Sequence, residues 1–592
     1  MTQTTTKTYL SKKTLVVTLG VLMSQAGFAN NELPNTQPLE QYNQQRNQAL
    51  QQQLQTNPTV HLDSKPFQAP AIKPNTNNTP NTPCFDIHSV SLANNPKGVF
   101  DFALKPYLAG NESVIGQCLN IDDINQLVSN VQNNIIDKGY VTTRVVISNQ
   151  NIASGNLVLD IIPGYIAQIK ANKLSDNLVL LDDGEPINFA TAFAIEEGQL
   201  LNIRDIEQGL ENFKRVPSAD ANFAIAPSSD VSVPGYSDLL IDYTQGRRWR
   251  VSAGIDDSGQ KSTGQYQANV TLSLDNPMWH NDLFYVSYGH SLDGASNDVD
   301  DDSWNYNIGY TLPIDNSLLS ITHNGYNYKQ TVAGASEDYT YSGDSYNTEA
   351  MLSHLVHRDS HSKTYVKGGA FTKKQRNYID DTEVEVQRRK TSGWKGGIAY
   401  ETTVNGAQIS SELMYQHGTG AFNALTPTES LFNEGSARAG IIKTNVDVNK
   451  PFELAGKQFN YHGLFKGQLA EEALVPADRF SIGGRYTVRG YDGERTLSGD
   501  HGALLRQDVT MMLGESAHGL YAGVDAGYVQ MDNKIQDKQL LGHHLVGAAV
   551  GAKGYVKPLK TTYDVFAGFP VDSPESFADK DVVAGFSLGW QY

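Results

Sequence analysis

"TGQYQANVTLSLD", residues 263–275, alternates without a break. Tyr266, Ala268, Val270, Leu272 and Leu274 fall on one side, and Gln265, Gln267, Asn269, Thr271, Ser273 and Asp275 on the other. A period of two belongs to an extended strand, whereas a helix repeats every 3.6 residues or about that. "SWNYNIGYTLP" (303–313) repeats the arrangement, and so does the C-terminal "DVVAGFSLGWQY" (581–592). Sixteen such segments are expected, beginning near residues 247, 263, 282, 303, 317, 342, 363, 385, 407, 436, 457, 501, 518, 543, 561 and 581.

A soluble β-sandwich also alternates, and three features argue against it. The segments run about ten residues or more, longer than ordinary strands. Their polar side mixes glycine and small residues with charges, as a wet interior would. Aromatics gather toward the segment ends, as they do at the two interfaces of a bilayer. In lipid an open sheet edge would leave backbone N–H and C=O groups unpaired, so the sheet must close. Residues 245–592 are therefore expected to form a 16-stranded transmembrane β-barrel with both ends on the periplasmic side, within a mainly β chain. Phe586, Leu588, Trp590 and Tyr592 alternate to the last residue and are read as a C-terminal strand signal.

The N-terminal part has a different texture. Lys7, Lys12 and Lys13 precede the apolar run "TLVVTLGVLM", and Gly27 and Ala29 follow as small residues. That order is a secretory signal peptide, residues 1–29. Residues 30–55, rich in glutamine, read as a polar helix that is stable only among polar groups or water. Residues 56–83 are dense in Pro, Asn and Thr and read as an extended linker. Only two cysteines occur, Cys84 and Cys118, and in an exported chain a lone pair reads as one disulfide.

Two similar units follow. "LNIDDINQLVSNVQNNI" starts at Leu119 and "LNIRDIEQGLENFKRV" at Leu201, each a helix behind an Asn that suits an N-cap. With the β-branched stretches around them, both read as strand, helix, helix, strand, strand, giving tandem α+β domains over 84–163 and 164–244. Within the first, "LVLDIIPGYI" is assigned to its last strand.

The formal net charge of −18 argues against sequence-independent nucleic-acid binding, which needs Lys and Arg against phosphate. No phosphate-cradling glycine loop and no nucleophile elbow is present, so neither nucleotide-driven nor serine-hydrolase chemistry is expected. His354, His357 and His361 in "HLVHRDSH" lie at an expected strand end, their offsets suit a helix face better than a strand, and a solvated loop is preferred over a metal site. No cofactor, metal or enzymatic activity is expected.

Residues 476–500, "PADRFSIGGRYTVRGYDGERTLSGD", are too long for a tight turn. On the extracellular side such a loop can fold back into the lumen, its glycines packing close to the wall. In "HGLYAGVDAGYVQ" the alternation puts Tyr521, Gly523, Asp525 and Gly527 inside. Asp525 thus has open space beside its carboxylate, and Arg489 could fill it with a planar two-oxygen pairing. A solvated Arg489 and an Asp525 that merely lines the channel are the alternative.

"VRGY" (Val488, Arg489, Gly490, Tyr491), "GVDAGY" (523–528) and the duplicated domains resemble the two-partner secretion transporters, the haemolysin and filamentous-adhesin exporters. The resemblance spans nearly the whole mature chain in matching order: helix, linker, two POTRA domains, barrel. It implies that the helix plugs the barrel and leaves during transport. It also implies that Arg489 pairs with Asp525 to lock the loop, within the motif of Val488, Gly490, Tyr491, Gly523 and Gly527. The implied function is export, without ATP, of an unfolded exoprotein (haemolysin, adhesin or contact-dependent inhibition toxin) met by the POTRA domains in the periplasm. The implied location is the outer membrane of a Gram-negative bacterium, in contact with its lipid. Periplasmic chaperones and barrel-assembly machinery are expected in biogenesis, and a monomer at work. A barrel-assembly insertase is the alternative function, followed by a passive porin.

Overall fold

The computed structural model describes residues 45–47, 50, 54, 58–69, 83–174, 189–228, 234–292, 302–332, 338–577 and 581–592. The expected signal peptide, most of the 30–55 helix and residues 70–82 of the linker lie outside the described residues.

The first N-terminal unit holds a three-stranded sheet of β1 (Ser89–Ala93), β2 (Arg144–Val146) and β3 (Asn156–Ile162), with β3 in the middle. Helix α1 (Ile121–Asp137) covers it, burying Ile124, Leu127, Val131, Ile135 and Ile136 at helical spacing. Asn120 caps α1: its side chain accepts from Asp123 N while the Asp123 carboxylate accepts from Asn120 N. Phe85–Asp86 pairs with Cys118–Leu119, which brings the Cys84 and Cys118 Cα atoms to 5.4 Å in a disulfide.

The second unit repeats the plan with β4 (Tyr165–Leu174), helix α2 (Ile203–Lys214), β5 (Ala219–Pro227) and β6 (Tyr236–Gln245), in sheet order β4-β6-β5. One assignment needs correction. "LVLDIIPGYI" is not a single strand: β3 stops at Ile162 and β4, in the other sheet, starts at Tyr165. Pro163 has no N–H to continue the ladder, and Gly164 lies against Thr142, where a Cβ would meet its Oγ1 at 2.0 Å.

Sixteen long strands among the described residues make the barrel. They are β7 (Trp249–Asp256), β8 (Gln267–Asp275), β9 (Leu283–Ser291), β10 (Asp302–Ile314), β11 (Ser317–Val332), β12 (Tyr339–Arg358), β13 (Ser362–Ile379) and β14 (Arg389–Val404). The second half is β15 (Ala407–Thr419), β16 (Gly440–Leu454), β17 (Lys457–Ala470), β18 (His501–Met512), β19 (His518–Gln530), β20 (His544–Val556), β21 (Thr561–Asp572) and β22 (Val583–Gln591). Every neighbouring pair is antiparallel, and β22 closes on β7 with Ser587 opposite Asp256 and Gln591 opposite Ser252. Connections on the side of the two N-terminal units are short, such as 405–406 between β14 and β15, whereas those on the far side include 420–439 and 471–500. That asymmetry is the pattern of outer-membrane barrels.

Burial inverts between the two faces of the wall. Thr271 is 1% exposed while its neighbour Val270 is 53% exposed. Ser273, Ser287, Asn307 and Thr311 are likewise buried, and Leu272, Tyr288, Ile398 and Leu413 point outward. A sheet with polar residues in and apolar residues out is stable where the outer solvent is hydrocarbon. No helix among the described residues is long and apolar enough to cross a membrane; the strands do that work. At the POTRA-side rim Arg247 lies 4.3 Å from the ring centroids of both Trp249 and Tyr592, an aromatic belt with a cation over it.

Candidate functional site

The segment between β17 and β18 enters the lumen. It is braced internally by Phe480–Ile482 pairing with Leu497–Gly499. Ile482, Val488, Tyr491 and Leu497 then bury themselves with Leu504, Val529, Leu545 and Phe577 in an apolar cluster. Tyr491 stacks edge-on to Phe577 and donates its hydroxyl to the Val546 and Asp572 carbonyls at 3.1 and 2.9 Å. Gly490, at φ +108°, passes so close to the wall that a Cβ would meet the Phe569 carbonyl oxygen at 2.5 Å.

This anchoring aims Arg489 at the wall. Its Nε donates to Asp525 Oδ2 and its Nη2 to Asp525 Oδ1, both at 2.7 Å, and its backbone N donates to Oδ2 at 2.9 Å. The two side chains are 4% and 0% exposed, so the pair is dry. Nη2 also donates to Asp508 Oδ1 at 2.7 Å, and Arg506 Nε stands 3.8 Å from Asp525. Strand register explains the grouping, since Arg506 lies opposite Asp525 and Asp508 opposite Gly523. Gly523 leaves room for the guanidinium: a Cβ there would meet Arg489 Nη2 at 2.7 Å. Gly527 does the same for Ile482, whose Cγ2 would lie 2.8 Å away.

Asp508 and Arg506 were not singled out in the sequence, although the period-two rule on "HGALLRQDV" would have placed both inward. Two further contacts were also missed. Arg485 donates to Asp257 Oδ1 at 2.7 Å and to the Phe586 carbonyl at 3.0 Å, where the last strand meets the first. Asp478 accepts from Lys373 Nζ at 2.7 Å.

The rest of the lumen is charged on one side. Lys363, Lys367, Lys395 and Lys443 line it with Glu349 and Glu412. The described residues of the N-terminal helix lie inside: Arg46 donates to Gln267 at 3.4 Å and stands 3.9 Å from Asp256, both on the inner wall. The histidines fall at a strand end, as their stretch of sequence predicts, although two of the three are still within the strand. His354 and His357 belong to the end of β12, and His361 sits in the following turn with its ring 5.8 Å from that of His61. Among the described residues no group of His, Cys, Asp and Glu is arranged to hold a metal.

The second N-terminal unit is fastened to the barrel rim. Arg215, buried, donates to Thr311 Oγ1 at 2.6 Å and to the Asn281 carbonyl at 3.0 Å. Burial pushes its guanidinium down to about 10, with Asp282 and Asp275 pulling the other way. Asn212 donates to the Asp315 carbonyl at 2.8 Å, and Arg358, at the end of β12, reaches Glu207 and Glu211 on α2, each at 2.9 Å. The sequence offered "HLVHRDSH" and "IRDIEQGLENF" separately, with nothing local to join them.

A closed barrel with polar residues inside and apolar residues outside, a long loop held against its inner wall, and a domain fastened to its rim behind a second such domain make the architecture of an outer-membrane transporter. The profile of the haemolysin secretion/activation protein ShlB/FhaC/HecB family matches residues 235–554, and ShlB-type POTRA and POTRA profiles match 85–164 and 165–227. The first match covers more than half of the chain, which therefore belongs to that family. Outer membrane transporter CdiB-2 of Burkholderia pseudomallei is 29% identical across 98% of each chain. Hemolysin transporter protein ShlB of Serratia marcescens is 24% identical over 70% of this chain and 71% of its own. The structure of CdiB from Acinetobacter baumannii superposes with a TM-score of 0.80 at 28% identity, covering 95% of this chain and all of that one. The chain is thus a two-partner secretion transporter of the Gram-negative outer membrane, with periplasmic POTRA domains and a large exoprotein as partner.

Proposed function

We propose that the Arg489–Asp525 pair is the lock that holds the lumenal loop against the wall and keeps the conduit open along one side. Its buried geometry, with three hydrogen bonds from Arg489 to Asp525 and a fourth from Arg489 to Asp508, is the observation that carries this reading. The helix around Arg46 is the plug of the resting state, and it leaves when cargo engages. An unfolded exoprotein docks on the POTRA domains, whose edge strands β2 and β5 offer unpaired backbone groups to an extended chain. The exoprotein then threads outward and folds outside, so the bias is conformational free energy. Resemblance to the CdiB transporters over the full length favours, among exoproteins, the kind that those transporters export. Residues 1–29 serve as a leader, periplasmic chaperones and barrel-assembly machinery insert the barrel, and the working unit is a monomer.

Removing one partner of a dry ion pair costs about 3–5 kcal/mol. Arg489→Ala is therefore expected to leave a folded, heat-modifiable barrel in the membrane while exoprotein in the medium falls steeply. Wild-type secretion by that variant would refute the lock.

A further inference from the structure

The segment Val60–Leu62 crosses helix α2 in extended form, and it is held there by its main chain. Val60 N donates to Glu211 Oε1 and Leu62 N to Glu207 Oε1, each at 2.8 Å. The Val60 carbonyl accepts from Arg358 Nη2 at 2.9 Å, and the Leu62 carbonyl from Arg204 Nη1 at 3.4 Å. Both N–H and both C=O groups of alternate residues are thus satisfied by charged side chains, in the way a neighbouring strand would satisfy them. The spacing makes this possible. Glu207 and Glu211 are four helical residues apart, a rise of about 6 Å, and two residues of extended chain span about 6.6 Å.

The side-chain requirement is loose. Val60 and Leu62 turn toward the core of the second POTRA unit, while His61 and Asp63 face out. Any extended segment with apolar residues at alternate positions meets the same conditions. The array also has ion pairs of its own that do not involve the linker. Arg358 donates from Nε to Glu207 Oε2 and from Nη1 to Glu211 Oε2, both at 2.9 Å, Lys363 Nζ donates to Glu211 at 2.9 Å, and Arg204 pairs with Glu207.

We infer that Arg204, Glu207, Glu211 and Arg358 form a main-chain-reading site for an extended polypeptide, that the linker occupies it as a built-in competitor, and that an extended segment of the exported polypeptide takes its place. The inference rests on the transporter reading and names the surface on which cargo first displaces part of this chain. Because the linker continues into the helix inside the lumen, exchange here would also slacken the tether of the plug. Arg358 belongs to the barrel and the two glutamates to the POTRA unit, so the site exists only while the two are docked.

The test uses the full-length protein in lipid nanodiscs and fluorescein-labelled peptides read by anisotropy. The probes are PTVHLDS (residues 58–64), an unrelated peptide alternating Thr and Ile, and PTVHLDS methylated on the Val and Leu main-chain nitrogens. Val60→Pro with Leu62→Pro removes both linker donors and keeps an apolar side chain at the two positions that pack against the second POTRA unit. That variant is expected to bind the first two peptides about ten-fold more tightly than wild type and to show no gain for the methylated one. Adding Glu207→Gln and Glu211→Gln is expected to erase the gain. Equal binding of methylated and unmethylated peptide, recognition of PTVHLDS but not of the Thr/Ile peptide, or no gain in the proline variant would each overturn the site. Export of the co-expressed exoprotein is measured in parallel. Export that proceeds while peptide binding fails sinks the site alone, and peptide binding without any export by wild type sinks the transporter reading.

Discussion

Helices α1 and α2 share a sequence pattern and its N-cap asparagine, yet Ile121 at the start of α1 is 68% exposed and Ile203 at the start of α2 only 1%. Position by position, Asn125 of α1 corresponds to Glu207, Ser129 to Glu211 and Asn133 to Arg215. The charged set on α2 is buried, the neutral set on α1 is not. Buried charges persist only when each is paired, and here the partners come from the barrel and the linker. The first POTRA unit shows the other solution: it carries the disulfide, and its β2 lies at an edge of its sheet. The second repeat is therefore fastened to the barrel through charges that the first repeat lacks.

The sharpest way to break this comparison is to neutralise matching positions. Glu211→Ala leaves Arg358 and Lys363 without their shared carboxylate and is expected to cost about 3–5 kcal/mol of docking free energy, less where water enters. Ser129→Ala on α1 should stay within about 0.5 kcal/mol. Hydrogen exchange in α2 and residues 58–62 as a function of urea measures both, and equal effects would erase the distinction. Next in size, Cys118→Ser opens a link between residues 34 apart and should destabilise the first unit by about 3–4 kcal/mol, leaving the second unchanged in pulse proteolysis. The smallest effect tests what the two units share. Asn120→Ala and Asn202→Ala each remove an N-cap and should each cost about 1 kcal/mol, read as local amide protection at the helix starts.

Much of the barrel was legible because its signal is local and periodic. Segments expected at 317, 407, 457, 501, 518 and 561 begin at Ser317, Ala407, Lys457, His501, His518 and Thr561. Alternation also placed Asp525 inside, and the resemblance carried by "VRGY" brought Arg489 to it. Long-range side-chain choices were not legible. Arg358 sits among histidines that drew attention for the wrong reason, and its partners lie about 150 residues away, on another domain. Arg485 meets Asp257 only because the loop folds inward and the last strand closes on the first. No spacing rule reports contacts made by docking, so such residues look like ordinary surface charges until the chain is folded. The exception is the contrast between the two repeats: charges present in one copy and absent from the other mark the face that needs a partner.

The central claim is that exported polypeptide passes through the lumen now occupied by the helix around Arg46. Both native cysteines are bonded to each other, so Arg46→Cys and Gln267→Cys can be joined selectively by a short bis-maleimide across the inner wall. With the helix pinned, exoprotein in the medium should fall to background, while the same double variant without the linker secretes. Undiminished secretion with the helix pinned would contradict passage through the barrel.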